Sequence, residues 1–167
     1  MIPTTINNFI IYSVLIWGTN MLLNVLGTIK LHFPSTKKYD KPIDARIEYK
    51  GDRLIGESTT IVGLIVCIMI SIILYFVGFD FKWVIIPFLV YTGHTLGSII
   101  KRRMHKKGGE FVPFIDHGDY TITTGIIFIA LGYITPIFAI LSISLTYIFH
   151  PIMCYLAYKI KLRERPY

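Results

Sequence analysis

Residues 93–120 read GHTLGSIIKRRMHKKGGEFVPFIDHGDY. An apolar stretch carrying His94 and Ser98 runs out into five basic residues, Lys101, Arg102, Arg103, Lys106 and Lys107. A short loop then crosses Gly108 and Gly109, and Asp116 and Asp119 open the next apolar run. Cations beside carboxylates at a membrane surface suit the handling of phosphates and of a divalent metal.

Working outward, every neighbouring segment is apolar on the scale of a bilayer. A spanning helix needs about 20 largely apolar residues. Phe9 to Leu26 qualifies, with Asn20 and Asn24 one turn apart. Ile61 to Phe79 holds no charge, and Asp80 and Lys82 mark a tight turn before the run Trp83 to Ile100. The 39 residues from Tyr120 to Tyr158 are too long for one pass. Gly132, Thr135 and Pro136 offer a break, so two helices joined by a short turn are expected, with Pro151 kinking the last. The expected fold is an all-α polytopic integral membrane protein, a single transmembrane domain over residues 1–167. Five transmembrane helices would surround a cytoplasm-facing polar cleft, with polar loops at about 30–57 and 101–119.

Five helices put both polar loops and the C-terminal tail on one side. Sixteen of the 17 Lys and Arg residues fall there, and only Lys82 falls on the other side. The positive-inside rule then places the N-terminus outside and the loops and C-terminus in the cytoplasm of a multi-pass cell-membrane protein.

Composition agrees. The chain is 53% hydrophobic with a mean hydropathy of +0.59, too apolar for a soluble domain of 167 residues. Its net charge of +7 comes in blocks between apolar runs. That pattern fits anionic lipid or nucleotide phosphate and no nucleic acid partner. No charge precedes the first apolar run, which argues against a secretory signal peptide. Cys67 and Cys154 sit inside apolar runs and read as free core or lipid-facing thiols.

Several polar residues have both a structural and a chemical reading. His94, Ser98 and Lys101 fall at i, i+4 and i+7 and share a helix face, with Gly93 and Gly97 beside it for close helix approach. Ionisable groups at this depth face protein or a water-filled cavity. The structural reading is a histidine hydrogen-bonded inside the bundle, with Lys101, Arg102 and Arg103 snorkelling to the interface. Asp116 and Asp119 serve either as a helix cap or as a divalent-cation pair. Ser58, Thr59 or Thr60 can cap the second helix or hold a phosphate at its N-terminus. Asn20 and Asn24 read first as interhelical hydrogen bonders.

Together these pieces resemble the CDP-archaeol synthase family, relatives of the phosphatidate cytidylyltransferases. The family pattern starts with a first-helix Asn, matched by Asn20, and a Pro-x-Asp, matched by Pro42 to Asp44. A Gly-Asp-x-Lys-Thr-Trp-Arg-Gly box aligns with Gly56 to Gly63. A Gly-Asp followed by Ser-x-x-Lys-Arg-Arg aligns Gly93 and His94 with Ser98, Lys101, Arg102 and Arg103. A Pro-x-x-Asp-x-x-Asp-aromatic element matches Pro113, Asp116, Asp119 and Tyr120. The match covers residues 17 to 125 in order. It departs at Glu57, Thr59, Ile61, Val62 and His94, where the family carries Asp, Lys, Trp, Arg and Asp.

The resemblance implies a CTP-dependent transferase of phospholipid biosynthesis. CTP and a membrane lipid phosphate, either an archaeal ether-lipid phosphate or phosphatidate, would give CDP-lipid and pyrophosphate. It implies Mg²⁺ on Asp116 and Asp119 with His94 as third ligand, and Lys101 as the catalytic cation. Arg102 and Arg103 would hold phosphates, Ser58, Thr60 and Ser98 would supply hydroxyls, and Asn20 and Asp44 would complete the substrate site. The implied partners are CTP, the lipid phosphate and the membrane, and the layout is compatible with a homodimer. The competing reading is a non-catalytic member of the scaffold that binds anionic lipid or a membrane partner.

Overall fold

The computed structural model describes residues 6–32, 35, 41–49, 51–56, 59–106 and 110–161. Of the residues singled out above, Glu57, Ser58, Lys107, Gly108 and Gly109 lie outside the described residues. Among the described residues the chain forms helices α1 (Ile6–His32), α2 (Ile61–Phe76), α3 (Phe81–Val84), α4 (Ile86–Arg103), α5 (Pro113–Ala130) and α6 (Pro136–Lys159). One small hairpin, β1 (Glu48–Tyr49) with β2 (Asp52–Arg53), stands between α1 and α2. The hairpin is absent from the sequence reading, because two residues per strand leave no alternating pattern to detect.

The helix boundaries follow local chemistry. Thr60 caps α2, its Oγ1 accepting the Gly63 N–H at 3.3 Å. α3 is a single turn that runs almost directly into α4, with Pro87 in the first turn of α4. Thr135 and Pro136 open α6 after Gly132 turns the chain at φ +70°. That is the break the sequence offered, since Pro at the first helical position sacrifices no hydrogen bond. α6 then continues through Pro151 to Lys159. α5 begins earlier than the apolar run, at Pro113, so Asp116 and Asp119 sit on its first two turns.

Among the described residues, three segments are long and apolar enough to cross a membrane: Ile6–Leu26, Phe81–Arg103 and Pro136–Lys159. α2 is apolar but has 16 residues. Apolar side chains cover the outside of the bundle, with Phe76 81% and Ile137 76% exposed. Such faces suit lipid and not water.

Inside, Tyr12, Ile16, Trp83, Ile86, Val90, Tyr120 and Phe128 form the apolar core. Hydroxyls bind the helices to one another. Ser13 donates to Ser142 at 3.4 Å, and the Trp17 indole N–H donates to Thr146 Oγ1 at 2.9 Å. Thr121 and Thr146 share a further bond at 3.3 Å. Small hydroxyl residues fill this role where lipid removes the hydrophobic drive for helix association.

α4 and α5 make the closest approach. A Cβ on Gly93 would collide with the Tyr120 backbone, and one on Gly97 with the Asp119 carboxylate. The small-xxx-small spacing of these two glycines is what lets the helices touch. On the other side of α5, a Cβ on Gly118 would collide with the Tyr147 phenol of α6.

Candidate functional site

The α4–α5 contact opens a cavity of about 330 Å³ among α1, the segment before α2, α4, α5 and α6. The face predicted on α4 is present, and His94, Ser98 and Lys101 all line this cavity. Asn20, Thr60, Arg102, Asp116 and Asp119 line it too. Asp44 and Arg103 do not belong to its wall.

Lys101 lies on both oxygens of Asp116, at 2.8 and 3.0 Å. Asp116 also accepts the Val112 N–H at 2.6 Å, so it closes the first turn of α5 while it holds the lysine. The two readings of Asp116, cap and charged site residue, therefore describe one side chain. The second carboxylate, on Asp119, accepts from the Tyr120 N–H at 2.7 Å and lies 3.3 Å from His94 Nδ1.

His94 is engaged at both ring nitrogens. Its Nε2 donates to Asn20 Oδ1 at 3.0 Å, and Asn24 Nδ2 donates to the same oxygen at 3.1 Å. With one nitrogen on Asn20 and the other on Asp119, the ring spans α1 and α5 and orients Asp119. Asn20 is the interhelical bonder expected of it. Asn24 also bonds back to Asn20 within α1.

The segment before α2 is fastened to this wall. Pro42 pairs with Thr60, and the Ile43 N–H donates to Thr59 O at 3.0 Å. Tyr91 of α4 donates to Thr60 O at 2.8 Å, and Thr59 donates to Ser98 at 3.3 Å. Asp44 is the organiser of this segment. Its carboxylate accepts from Arg53 Nη2 at 2.8 Å and from the Arg46, Ile55 and Gly56 N–H groups at 3.1, 3.0 and 3.4 Å. Burial alone would raise its pKa. The Arg53 guanidinium and the three amides outweigh burial and hold it below the ordinary 3.8.

The basic triplet divides by role. Lys101 faces the cavity. Arg102 lies flat on Gly56, whose φ of +132° and missing side chain make room for the guanidinium. Its Nη1 donates to the Lys106 carbonyl, and its Nε is buried without a hydrogen-bond partner. Arg103 turns outward onto the hairpin. It donates to the Tyr49, Arg53 and Leu54 carbonyls at 3.3, 3.1 and 3.4 Å and stacks over the Tyr49 ring at 5.1 Å. Arg103 is thus a clamp on the segment and does not reach the cavity.

Sequence reading missed a second polar group. His117, His150 and Cys154 also line the cavity, and His117 Nδ1 lies 2.7 Å from His150 Nδ1. The available signal was His150 itself, an ionisable residue inside the long apolar run.

Among the described residues no three His, Cys, Asp or Glu side chains converge as a metal cluster. Mg²⁺ asks for less. It is commonly held by one or two carboxylates, with waters and substrate phosphate oxygens completing the shell. Asp116 and Asp119, one turn apart and lining one cavity, fit that donor set.

The family described as "CarS-like: CDP-archaeol synthase" matches residues 37–167. The chain belongs to the CDP-archaeol synthase family. Two curated relatives bear that name. The protein from Sulfolobus acidocaldarius is 27% identical over 141 residues, covering 78% of this chain and 85% of the relative. The protein from Pyrobaculum aerophilum is 24% identical over 143 residues, covering 81% and 87%. A solved structure, reported as "Structural insight into an intramembrane enzyme for archaeal membrane lipids biosynthesis", shares the fold with a TM-score of 0.57. It is 23% identical and covers 88% of this chain and 92% of its own. Membership in the CDP-archaeol synthase family and three bilayer-length apolar helices make this a membrane protein.

Proposed function

We propose that this chain is a CTP:lipid-phosphate cytidylyltransferase. The observation that carries the reading is the convergence of Lys101, Arg102, Asp116 and Asp119 on one cavity in a member of this family. An oxygen of the lipid phosphate attacks the α-phosphorus of CTP. The new P–O bond forms as the bond to the bridging oxygen breaks, and pyrophosphate leaves. The attacking oxygen is already anionic, so the protein need only position the reactants and neutralise charge.

Lys101 and Arg102 supply the positive charge along the α4 wall. The hydroxyls of Ser98 and Thr60 supply hydrogen bonds to phosphate oxygens, and Asn20 and His94 hold Asp119 in place. Asp116 and Asp119 would hold Mg²⁺, which would offset the negative charge of the phosphates. Asp44 and Arg103 act at one remove, by shaping and clamping the segment that seats Arg102 on Gly56. Ser58 remains a candidate hydroxyl from the same segment.

We place all five long helices across the bilayer, with the cleft, both polar loops and the C-terminus cytoplasmic and the N-terminus outside. The support is the 16-to-1 distribution of Lys and Arg.

The decisive assay follows radiolabelled CTP into extracted lipid. Purified protein with Mg²⁺ is given an archaeal ether-lipid phosphate or phosphatidate. Label is expected in the ether lipid, in line with the relatives' names. Label in neither lipid rejects the enzyme. One observation favours the non-catalytic reading: each carboxylate already faces a protein nitrogen, Asp116 on Lys101 and Asp119 on His94. A protein that binds the lipid phosphate but never incorporates CTP would establish that reading instead.

A further inference from the structure

We infer that His117 of α5 and His150 of α6 form a second phosphate subsite in the cavity, one that takes the phosphomonoester of the membrane-borne substrate. The inference rests on the lipid-phosphate reading above and deepens it.

The two imidazoles meet Nδ1 to Nδ1 at 2.7 Å, so one ring donates its N–H to the other. Both line the cavity. The contact is built into the helix packing. Gly118 leaves room for Tyr147, whose hydroxyl donates to the Phe114 carbonyl at 2.5 Å. That approach brings α6 against α5, and His150, one turn beyond Tyr147, arrives beside His117. Phe111 stacks edge-on against His117 with centroids 5.1 Å apart. Polar rings are costly at bilayer depth, and a pair of them facing a cavity marks a ligand site more often than a fastening.

The position selects the ligand. The pair lies on the α5–α6 wall of the cavity and the cations on its α4 wall. The triphosphate of a water-soluble nucleotide belongs with Lys101 and Arg102, where the basic loop delivers it. The wall formed by α6 has the opposite character. Phe149, Ile152 and Met153, next to His150 in sequence, are each half exposed on the outside of the bundle, where lipid covers them. A phosphate that arrives on an acyl or ether chain meets this wall first. Imidazole N–H groups bind phosphate oxygens through charge-assisted hydrogen bonds. Subsites on the α4 wall and on the α5–α6 wall would also hold two anionic substrates apart before reaction.

The test measures binding and needs no turnover. A water-soluble short-chain ether-lipid phosphate, CTP with Mg²⁺, and inorganic phosphate are titrated into detergent-purified wild type, His117→Gln, His150→Gln and Cys67→Ala. Each histidine variant is expected to lose roughly tenfold or more in affinity for the lipid phosphate, the effect of one charge-assisted hydrogen bond. CTP affinity should stay at the wild-type value, and Cys67→Ala, on α2 and away from the cavity wall, should match wild type throughout. Inorganic phosphate competing with the lipid phosphate in wild type would identify the phosphate group as what the pair recognises. In wild type alone, the lipid phosphate should slow diethyl pyrocarbonate modification of His150, mapped by mass spectrometry, whereas CTP should not. That measurement decides the matter even where a variant fails to fold. Unchanged lipid-phosphate affinity in both histidine variants, protection of His150 by CTP alone, or no lipid-phosphate binding by wild type would overturn the subsite. If binding behaves as expected and no CTP is ever incorporated, the subsite stands and the cytidylyltransferase reading falls.

Discussion

His94 Nδ1 lies 3.3 Å from Asp119 Oδ1, at the position where the family pattern carries a carboxylate. An aspartate there would set a second negative charge beside Asp119, and like charges this close repel unless a cation lies between them. His94→Asp should therefore melt at a lower temperature than wild type in EDTA. Added Mg²⁺ should recover it and raise its midpoint by more than it raises that of wild type. Equal midpoints with and without Mg²⁺ would remove residue 94 from the metal's surroundings.

Lys101 and Asp116 separate stability from chemistry. In Asp116→Asn the amide oxygen can still accept from the Val112 N–H, so the cap survives while the charge is lost. Turnover should fall by about two orders of magnitude or more with little change in the melting temperature. Asp116→Ala loses the cap too and should cost about 1 kcal/mol of stability in addition. Near-wild-type turnover in Asp116→Asn would reduce the residue to a cap.

The two close-approach glycines should fail in different ways. A Cβ at residue 93 meets the Tyr120 backbone, which cannot yield without parting α4 from α5. Gly93→Ala should destabilise by about 1–3 kcal/mol, the usual range for overpacking. The atoms nearest a Cβ at residue 97 belong to the Asp119 side chain. Gly97→Ala should keep more of the stability and lose activity, because the carboxylate must move. Thermal melts beside CTP incorporation read both outcomes, and the reverse ranking would contradict the packing described.

Asp44 gives the hairpin segment an acid limit. Its folded pKa lies below the ordinary 3.8. A depressed carboxylate pKa contributes stability that is complete above the unfolded value and is lost as pH falls through the folded value. The melting-temperature gap between wild type and Asp44→Asn should be full at neutral pH and narrow as the pH falls below 3.8. A gap unchanged across that range would mean that the charge of Asp44 is not what holds the segment.

The orientation has its own test. Single cysteines are placed at residues 107 and 81 in a background lacking Cys67 and Cys154. Residue 81 should react with an impermeant thiol reagent applied to intact cells, and residue 107 only after permeabilisation. External labelling of residue 107 would invert the topology and put the cavity on the wrong face for cytoplasmic CTP.

Much of the plan was legible in one dimension. Apolar runs of bilayer length and the breaks at Asp80 and at Thr135–Pro136 act locally or through the average environment. The i, i+4, i+7 face of His94, Ser98 and Lys101 follows from helix geometry alone, and the ordered motifs carried the family. Tertiary structure decided what each polar group does. Arg102 and Arg103 are adjacent in sequence, yet a 100° step around α4 sends one onto Gly56 by the cavity and the other onto Tyr49. Asp44 looks like a site residue by motif and is consumed by its own segment, because Arg53 and three amides return to it. His117 and His150 meet only because Gly118 admits Tyr147, a contact across 29 residues of chain. Periodicity assigns a residue to a helix face. Which partner that face meets depends on how closely two helices approach, and here three missing side chains, at Gly93, Gly97 and Gly118, set that distance.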